Sequence, residues 1–353
     1  TEFKPRLVSA AIEIILDSAE QQARDVIATW ADGTYEGEAL LDDDGRGNQD
    51  IAIRAKVTIH GNDLDVDLSA SDDEVTSFVN SSYANMQSAV AMAFSFLFDA
   101  DTPKNDGLLR PINIIAREGS VVWARPGAPV TLSTSHCAQE VIEAVIRALA
   151  PACPDRAMAG WGRRFRIAIK GENPKNGQPF IWHMMHARPG AGASPGGDGW
   201  HGSGEWHSTG GLKFGSVEVT ESRFPLFFEY HEYRPNSGGN GRFVGGVGVD
   251  LTLRVETDDP FRVNTAGDGV RHGACGLLGG KDGAPHHYVM RAPNQVGQTL
   301  PTKKEGIECP PGTVFEIHSA GGGGWGPPED REPEAQAYDL RNGYVCKTSP
   351  GII

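Results

Sequence analysis

Four consecutive glycines at positions 321–324, followed by Trp325, Gly326, Pro327 and Pro328, constrain this chain more than any other segment. A backbone without Cβ atoms can take positive φ and can lie directly against another backbone. An aromatic residue inside the run favours a shaped loop over a flexible linker, which would be polar and rich in Gly and Ser. The run follows an apolar stretch at 314–317 and precedes four charged residues at 329–332. Glycine is abundant elsewhere too, at 45 of 353 residues, about 13% against an average near 7%. It is clustered without period, so a collagen-like helix is excluded and a loop-rich, strand-rich fold is expected.

Hydrophobic periodicity divides the chain in two. Behind Pro5, residues 6–28 carry apolar side chains at helical spacing, which predicts one amphipathic helix. Ile51, Ile53, Ala55, Val57 and Ile59 alternate, Gly61 and Asn62 suit a hairpin turn, and Leu64, Val66 and Leu68 form the return strand between aspartates. A buried helix is predicted at 84–97. Another runs to about Leu149, with Ser133, Thr134 and Ser135 as N-cap candidates and Pro151 as its stop. Beyond Pro154 the pattern predicts strands at 167–169, 180–185, 217–219, 226–233, 247–255 and 288–292. The fold class is therefore α+β, with a mixed domain over residues 1–155 and a mainly β domain with Gly-rich loops over 156–353.

A net charge of −14 argues against nucleic acid or an anionic membrane as partner, since both require basic surface. Cys137, Cys153, Cys275, Cys309 and Cys346 are odd in number and scattered, with no CxxC. That argues against a disulfide framework or a structural zinc site and points to a reducing, cytoplasmic compartment. The densest apolar run, 89–97, is too short to span a bilayer. Thr1 is not an initiator Met and no signal peptide follows, so a processed or partial polypeptide is expected.

Gly321, Gly323 and Gly326 satisfy G-x-G-x-x-G behind a strand. A dinucleotide site also needs the loop to open a helix, and the two prolines that follow favour a packed structural loop instead. A second cluster, from Ser237 to Gly248, joins two predicted strands and reads as a wide hairpin loop. Arg242 is its one side chain able to grip an anion in bidentate fashion. The third cluster, 190–211, holds Asp198, His201, Glu205 and His207, residue types suited to general acid–base work or metal binding. A mobile active-site loop is expected there. His183 and His186 form an H-x-x-H whose members point to opposite faces of a strand, a poor chelate. They and His207 are outside candidates for a metal that the chain is not expected to hold by itself. Asp42, Asp43, Asp44 and Gly45 lack the EF-hand alternation and read as a solvated acidic turn. His286 and His287 are placed on the surface, and Cys137 is read as a small buried hydrophobe. Asp268, in the tight turn Gly267-Asp268-Gly269, could face a cleft. The candidate catalytic residues are thus Asp198, His201 and Asp268.

Taken in order, these strings resemble one family. Ala31-Asp32-Gly33-Thr34-Tyr35 with Asp42 to Gly45 is similar to a "PDGxY…DDDG" segment. Asn105, Gly107 and Arg110-Pro111-Ile112 are similar to "PxNxGxxRPI". Residues 236–246 are similar to "DSGGxGRxRGG", Gly267-Asp268-Gly269 to "GDG", and residues 321–327 to "GGGGWGDP". The chain resembles the hydantoinase B/5-oxoprolinase family, which includes related subunits of ketone carboxylases. The family's N-terminal motifs, "HLGSM", "DPYxGGTHLPD" and "HHADVGG", which supply metal ligands, have no counterpart here, so the resemblance is to a C-terminal half. Its "DFxGTSPQ" is replaced by residues 67–73.

The resemblance implies a large ATP-dependent complex. An A-type ATP-binding subunit phosphorylates a carbonyl or amide oxygen, and the B-type chain completes the reaction at a metal-assisted centre. The implied partners are that A-type subunit, a polypeptide carrying the N-terminal half of the B-type chain, and a small amide or ketone substrate. ATP with Mg and a divalent metal are expected elsewhere in the complex. The implied activity is hydrolysis of a cyclic amide such as a hydantoin or an oxoproline-like lactam. The alternatives are a ketone carboxylase of acetone or acetophenone type, or a non-catalytic scaffold half.

Overall fold

The computed structural model describes residues 4–208, 210 and 213–346. The chain divides into two compact units: residues 1–40 with 52–157, and residues 41–51 with 158–353. The fold is α+β, with helices and a small sheet in the first unit and mostly strands in the second.

In the first unit, α1 (Pro5–Ile27) starts on Pro5, whose missing N–H costs nothing at a first helical position. Only Ala19, Ala23, Val26 and Ile27 of it are buried. Strands β1 (Gly33–Asp43), β2 (Gln49–His60), β3 (Asp63–Asp67) and β4 (Ile112–Ile115) form a sheet in that order. β2 and β3 are the predicted antiparallel hairpin, and β4 joins β3 in parallel. Helices α2 (Tyr83–Leu97) and α3 (Cys137–Leu149) pack together, and α3 is buried almost all round. The predicted cap of α3 does not form. The chain keeps turning through Ser133 and Ser135, whose N–H groups bond to Val130 and Leu132, and the helix begins behind His136 with no side-chain cap. Cys137 is fully buried, and burial pushes its thiol well above the usual range, as suits a small hydrophobe. In the replaced segment, Asp72 accepts the N–H of Ala52 (2.8 Å) and pairs with Arg54.

The second unit is a sandwich of two antiparallel sheets. One is ordered β11 (Gln298–Thr299), β10 (His287–Arg291), β13 (Val314–His318), β8 (Val249–Val255), β7 (Leu226–Tyr233). The other is ordered β12 (Lys303–Cys309), β9 (Phe261–Gly267), β5 (Phe165–Asn173), β6 (Gln178–His183). Alternate residues of both sheets, among them Ile167, Ile169, Leu251, Leu253, Phe261, Val263, Phe315 and Ile317, make one core. Residues 217–219 are not a strand. Ser216 Oγ accepts the Val219 N–H and starts helix α4 (Val217–Arg223), so a cap overrides the β preference of two valines. The chain closes with α5 (Pro333–Asn342).

Above the sandwich, the glycine clusters lie side by side as extended backbone. The N–H groups of Gly321, Gly322, Gly323 and Gly324 donate to Ala284, Gly246, Gly160 and Lys281 at 2.8–3.0 Å. In return, the carbonyls of Gly322, Gly323 and Gly324 accept from Gly239, Ala193 and Leu277. A Cβ at Gly322 would collide with the Ala191 carbonyl, and one at Gly321 with that of Ser237. None of these four has a positive φ. Close approach, not conformational freedom, is what requires them. The loop from residue 190 is drawn into the same array. Gly190 donates to Ala320, Ala191 to Trp200 and Gly199 to Val244, so this stretch is packed instead of free as expected.

His286 anchors the run and is buried, not on the surface. Its Nδ1 accepts the Ala320 N–H (3.0 Å) and its Nε2–H donates to the Arg163 carbonyl (2.6 Å). The acidic turn is buried as well. Asp42 and Asp44 are inaccessible, and Asp42 receives the N–H groups of Val270, Arg271 and His272. Among the described residues no helix is long and apolar enough to cross a membrane, and the five cysteines are free thiols.

Gly322→Ala should lower the thermal midpoint by an amount equivalent to about 3 kcal/mol, because backbone must move on both sides of the added methyl. Gly197→Ala, whose added Cβ would sit 3.8 Å from Ser194 Oγ, should change it by less than about 0.5 kcal/mol. Burial lowers the His286 pKa to about 4, from 6.5. The unfolded chain then binds the extra proton first, so stability is full above about pH 6.5 and falls as pH drops toward 4. Denaturant titrations at pH 7 and pH 5 should show this loss, and His286→Gln should reduce it.

Candidate active site

The loop holding Asp198 and His201, the end of β7, the 236–247 loop and the 338–345 segment enclose a cavity of about 590 Å³. Two of the three candidate catalytic residues line it, with Tyr233, Asn236, Asn240, Tyr338, Asp339 and Tyr344. Asp268 is not among its lining residues.

His201 is held by the glycine array. Its Nδ1 accepts the Val247 N–H at 3.0 Å, which puts the ring proton of the neutral imidazole on Nε2. The ring packs against Tyr344 at 4.0 Å between centroids and against Tyr233 at 5.5 Å. Burial holds its pKa below the usual histidine value. The side chain is therefore a neutral hydrogen-bond donor near pH 7, and its Nε2–H donates to no group among the described residues. That suits it to bind an oxygen on which charge develops. It suits it less to removing a proton, because the basic nitrogen is already committed.

Asp198 is committed on both oxygens. Oδ1 accepts from Val244 N–H (2.7 Å) and Arg331 Nη1 (2.8 Å), and Oδ2 accepts from Arg331 Nη2 (2.9 Å). The same buried guanidinium donates to Asp339 on α5 (2.7 Å) and to the Arg242 carbonyl (3.2 Å). Asn236 continues the fastening by exchanging hydrogen bonds with the backbone of Tyr344 and Cys346. Asp198 thus sets one wall of the cavity through Arg331. The Arg242 side chain itself lies exposed over the Phe243 ring and grips no carboxylate.

Asp268 lies in a separate buried network. Lys303 Nζ donates to its Oδ2 (3.1 Å), while Oδ1 accepts the N–H of Asp42 (2.7 Å). Burial pushes the Asp268 carboxyl up to about 6, against the pull of Lys303. With every oxygen partnered and no access, this pair holds the Gly267-Asp268-Gly269 turn in place. His183 ends β6 on the exposed side, whereas His186 is buried between Trp182 and Phe228, with Nε2 3.3 Å from Thr220 Oγ1. His207 sits in the short turn Trp206–Ser208, 3.5 Å from Arg164. Among the described residues no three His, Cys, Asp or Glu side chains group as metal ligands.

Sequence reasoning missed Arg331, Lys303 and the tyrosines. Arg331 stands among Glu329, Asp330 and Glu332 and reads as one more solvated charge. The available signal was its position directly behind a rigid Gly-Trp-Gly-Pro-Pro stop.

Comparison with known proteins agrees with this architecture. The family model for hydantoinase B/oxoprolinase matches residues 1–328. This chain belongs to the hydantoinase B/oxoprolinase family. Caprolactamase subunit beta of Pseudomonas jessenii is 30% identical over 96% of this chain and 59% of its own length. The crystal structure of ATP-dependent caprolactamase from the same organism superposes with a TM-score of 0.86 at 27% identity, covering 98% of this chain and 60% of that one. A nucleotide-free acetone carboxylase structure shares the fold, with a TM-score of 0.78 at 19% identity over 94% of this chain and 50% of that one. The chain therefore spans about three-fifths of the caprolactamase chains it matches.

Replacing Arg331 with Met should destabilise the chain by about 2 kcal/mol, since Asp339 is left buried and unpaired while Asp198 can turn to solvent. Hydrogen exchange should accelerate in α5 first. Arg331→Lys should rescue little of this, because an ammonium cannot reproduce the bidentate fork.

Proposed function

We propose that this chain is the C-terminal part of the B-type component of an ATP-dependent enzyme that hydrolyses a cyclic amide. The likeness to caprolactamase, along nearly the whole chain and at 27–30% identity, carries this reading. Amides are poor electrophiles, and phosphorylation of the amide oxygen activates the carbon: water adds there, the ring C–N bond breaks as the nitrogen takes a proton, and the resulting acyl phosphate is hydrolysed to carboxylate and phosphate. An A-type ATP-binding subunit would perform the phosphorylation, and a polypeptide with the metal-ligating motifs would complete the B-type component. This chain's own share is binding and orientation. The Nε2–H of His201 would donate to the water-derived oxygen of the adduct as charge builds on it, within a cavity walled by Tyr233 and Tyr344. Asp198 would act only by positioning that wall. The ketone carboxylase alternative has support from fold alone, at 19% identity.

The test is ATP turnover by the assembled complex, offered a lactam or hydantoin, or separately a ketone with bicarbonate. Lactam- or hydantoin-dependent turnover is expected, and turnover that requires bicarbonate would overturn the reading. In the active complex, His201→Ala should lower kcat about 100-fold, the scale of losing one donor to a developing oxyanion. An unchanged kcat would leave the chain a scaffold.

A further inference from the structure

Three arginines gather beside β5 and away from the cavity. Arg164 and Arg166 flank Phe165, and residues two apart on a strand share a face. Arg188 approaches from the following loop with a side chain only 7% exposed. One carboxylate serves all three. Glu205, also buried, lies 3.8 Å from Arg164 Nε and 3.9 Å from Arg188 Nη1, beyond hydrogen-bond distance in both cases. Arg164 otherwise reaches only His207 Nε2 (3.5 Å) and Met185 Sδ (4.0 Å), so it meets no second carboxylate. Arg188 Nε and His207 Nδ1 are buried without a partner. Arg166 forms no hydrogen bond or ion pair among the described residues, although it feels the charges of Arg164 and Glu205. His183 faces the same two arginines from β6.

This is a costly arrangement in a structural role. A buried guanidinium normally spends its donors on carboxylates or carbonyls, as Arg331 does on Asp198 and Asp339. Here three guanidiniums and one carboxylate leave two positive charges in excess, inside a chain whose net charge is −14. Desolvation destabilises the charged form of each arginine, so a counter-charge is favoured. Three guanidiniums that feel one another's charge or share Glu205 suit a doubly charged oxyanion with several acceptor oxygens.

We propose that Arg164, Arg166 and Arg188, oriented by Glu205, form a binding site for a phosphate-class dianion, either free phosphate or the phosphoryl group of a monoester. Glu205 stands near Arg164 and Arg188 and opposes the incoming anion. This predicts that removing its charge strengthens binding.

Isothermal titration of the full chain with inorganic phosphate, and in parallel with methyl phosphate, tests this without reference to catalysis. Binding well above that of chloride is expected. Arg166→Met, which removes no existing ion pair, and Arg188→Met should each weaken it at least tenfold. Glu205→Gln should tighten it severalfold. Arg262→Met, at an exposed pair with Glu308 on the same sheet, should leave it unchanged. A monoester bound more tightly than phosphate would assign the site to an esterified ligand, and the reverse to the free ion. Phosphate bound no better than chloride would overturn the proposal, as would affinities indifferent to Arg166→Met and Glu205→Gln.

Discussion

The second unit depends on peptide groups lying directly against peptide groups. The carbonyl of Ala191 occupies the place where a side chain at Gly322 would begin, and Gly246, Gly239 and Gly199 stand in similar relations to their neighbours. Each segment spends its hydrogen bonds on two or three others, so none is an independent loop. In an ordinary core, a lost methyl leaves a small void that neighbours partly fill. Here an added methyl has nowhere to go, because what surrounds it is backbone whose bonds fix its position.

The same array fixes side chains that line the cavity around His201. The Val247 N–H that fixes the imidazole tautomer belongs to the array, as does the Val244 N–H that holds Asp198. Arg331 then joins that floor to α5, and through it to Tyr338 and Tyr344. The far wall of the cavity belongs to 338–345, beyond the residues matched by the family model. Floor and wall therefore differ: the floor lies within the residues matched by the family model, and the wall lies beyond them.

Regular elements were legible because their signals are local. The 2-residue alternation of β2 and β3, the apolar spacing of α2 and the stop of α3 before Pro151 are each set by near neighbours in the chain, and the packed nature of the 321–326 run follows from its prolines. Errors came where distant residues decide the outcome. Asp42 and Asp44 look solvated until the backbone amides of Val270 to His272, over two hundred residues later, are found to bind Asp42. His286 looks like half of an exposed His-His pair, yet Ala320 and Arg163 enclose it. Val217 to Val219 misled for the opposite reason, since the single hydroxyl of Ser216 outweighed two β-branched side chains. In the candidate site, residue type pointed to Asp198 and His201, but the groups that hold them, Arg331 and the Val244 and Val247 amides, stand more than forty residues further along the chain.

The glycine array has a thermodynamic character unlike that of the sandwich beneath it. Apolar side chains such as Phe261, Phe315 and Ile169 hold the sandwich through an attraction that weakens on cooling, with a large heat capacity of unfolding. The array is held mainly by bonds between peptide groups, and exposing polar surface lowers the heat capacity. Its contribution to the heat capacity of unfolding therefore opposes that of the sandwich, and the two parts of this unit respond differently to temperature.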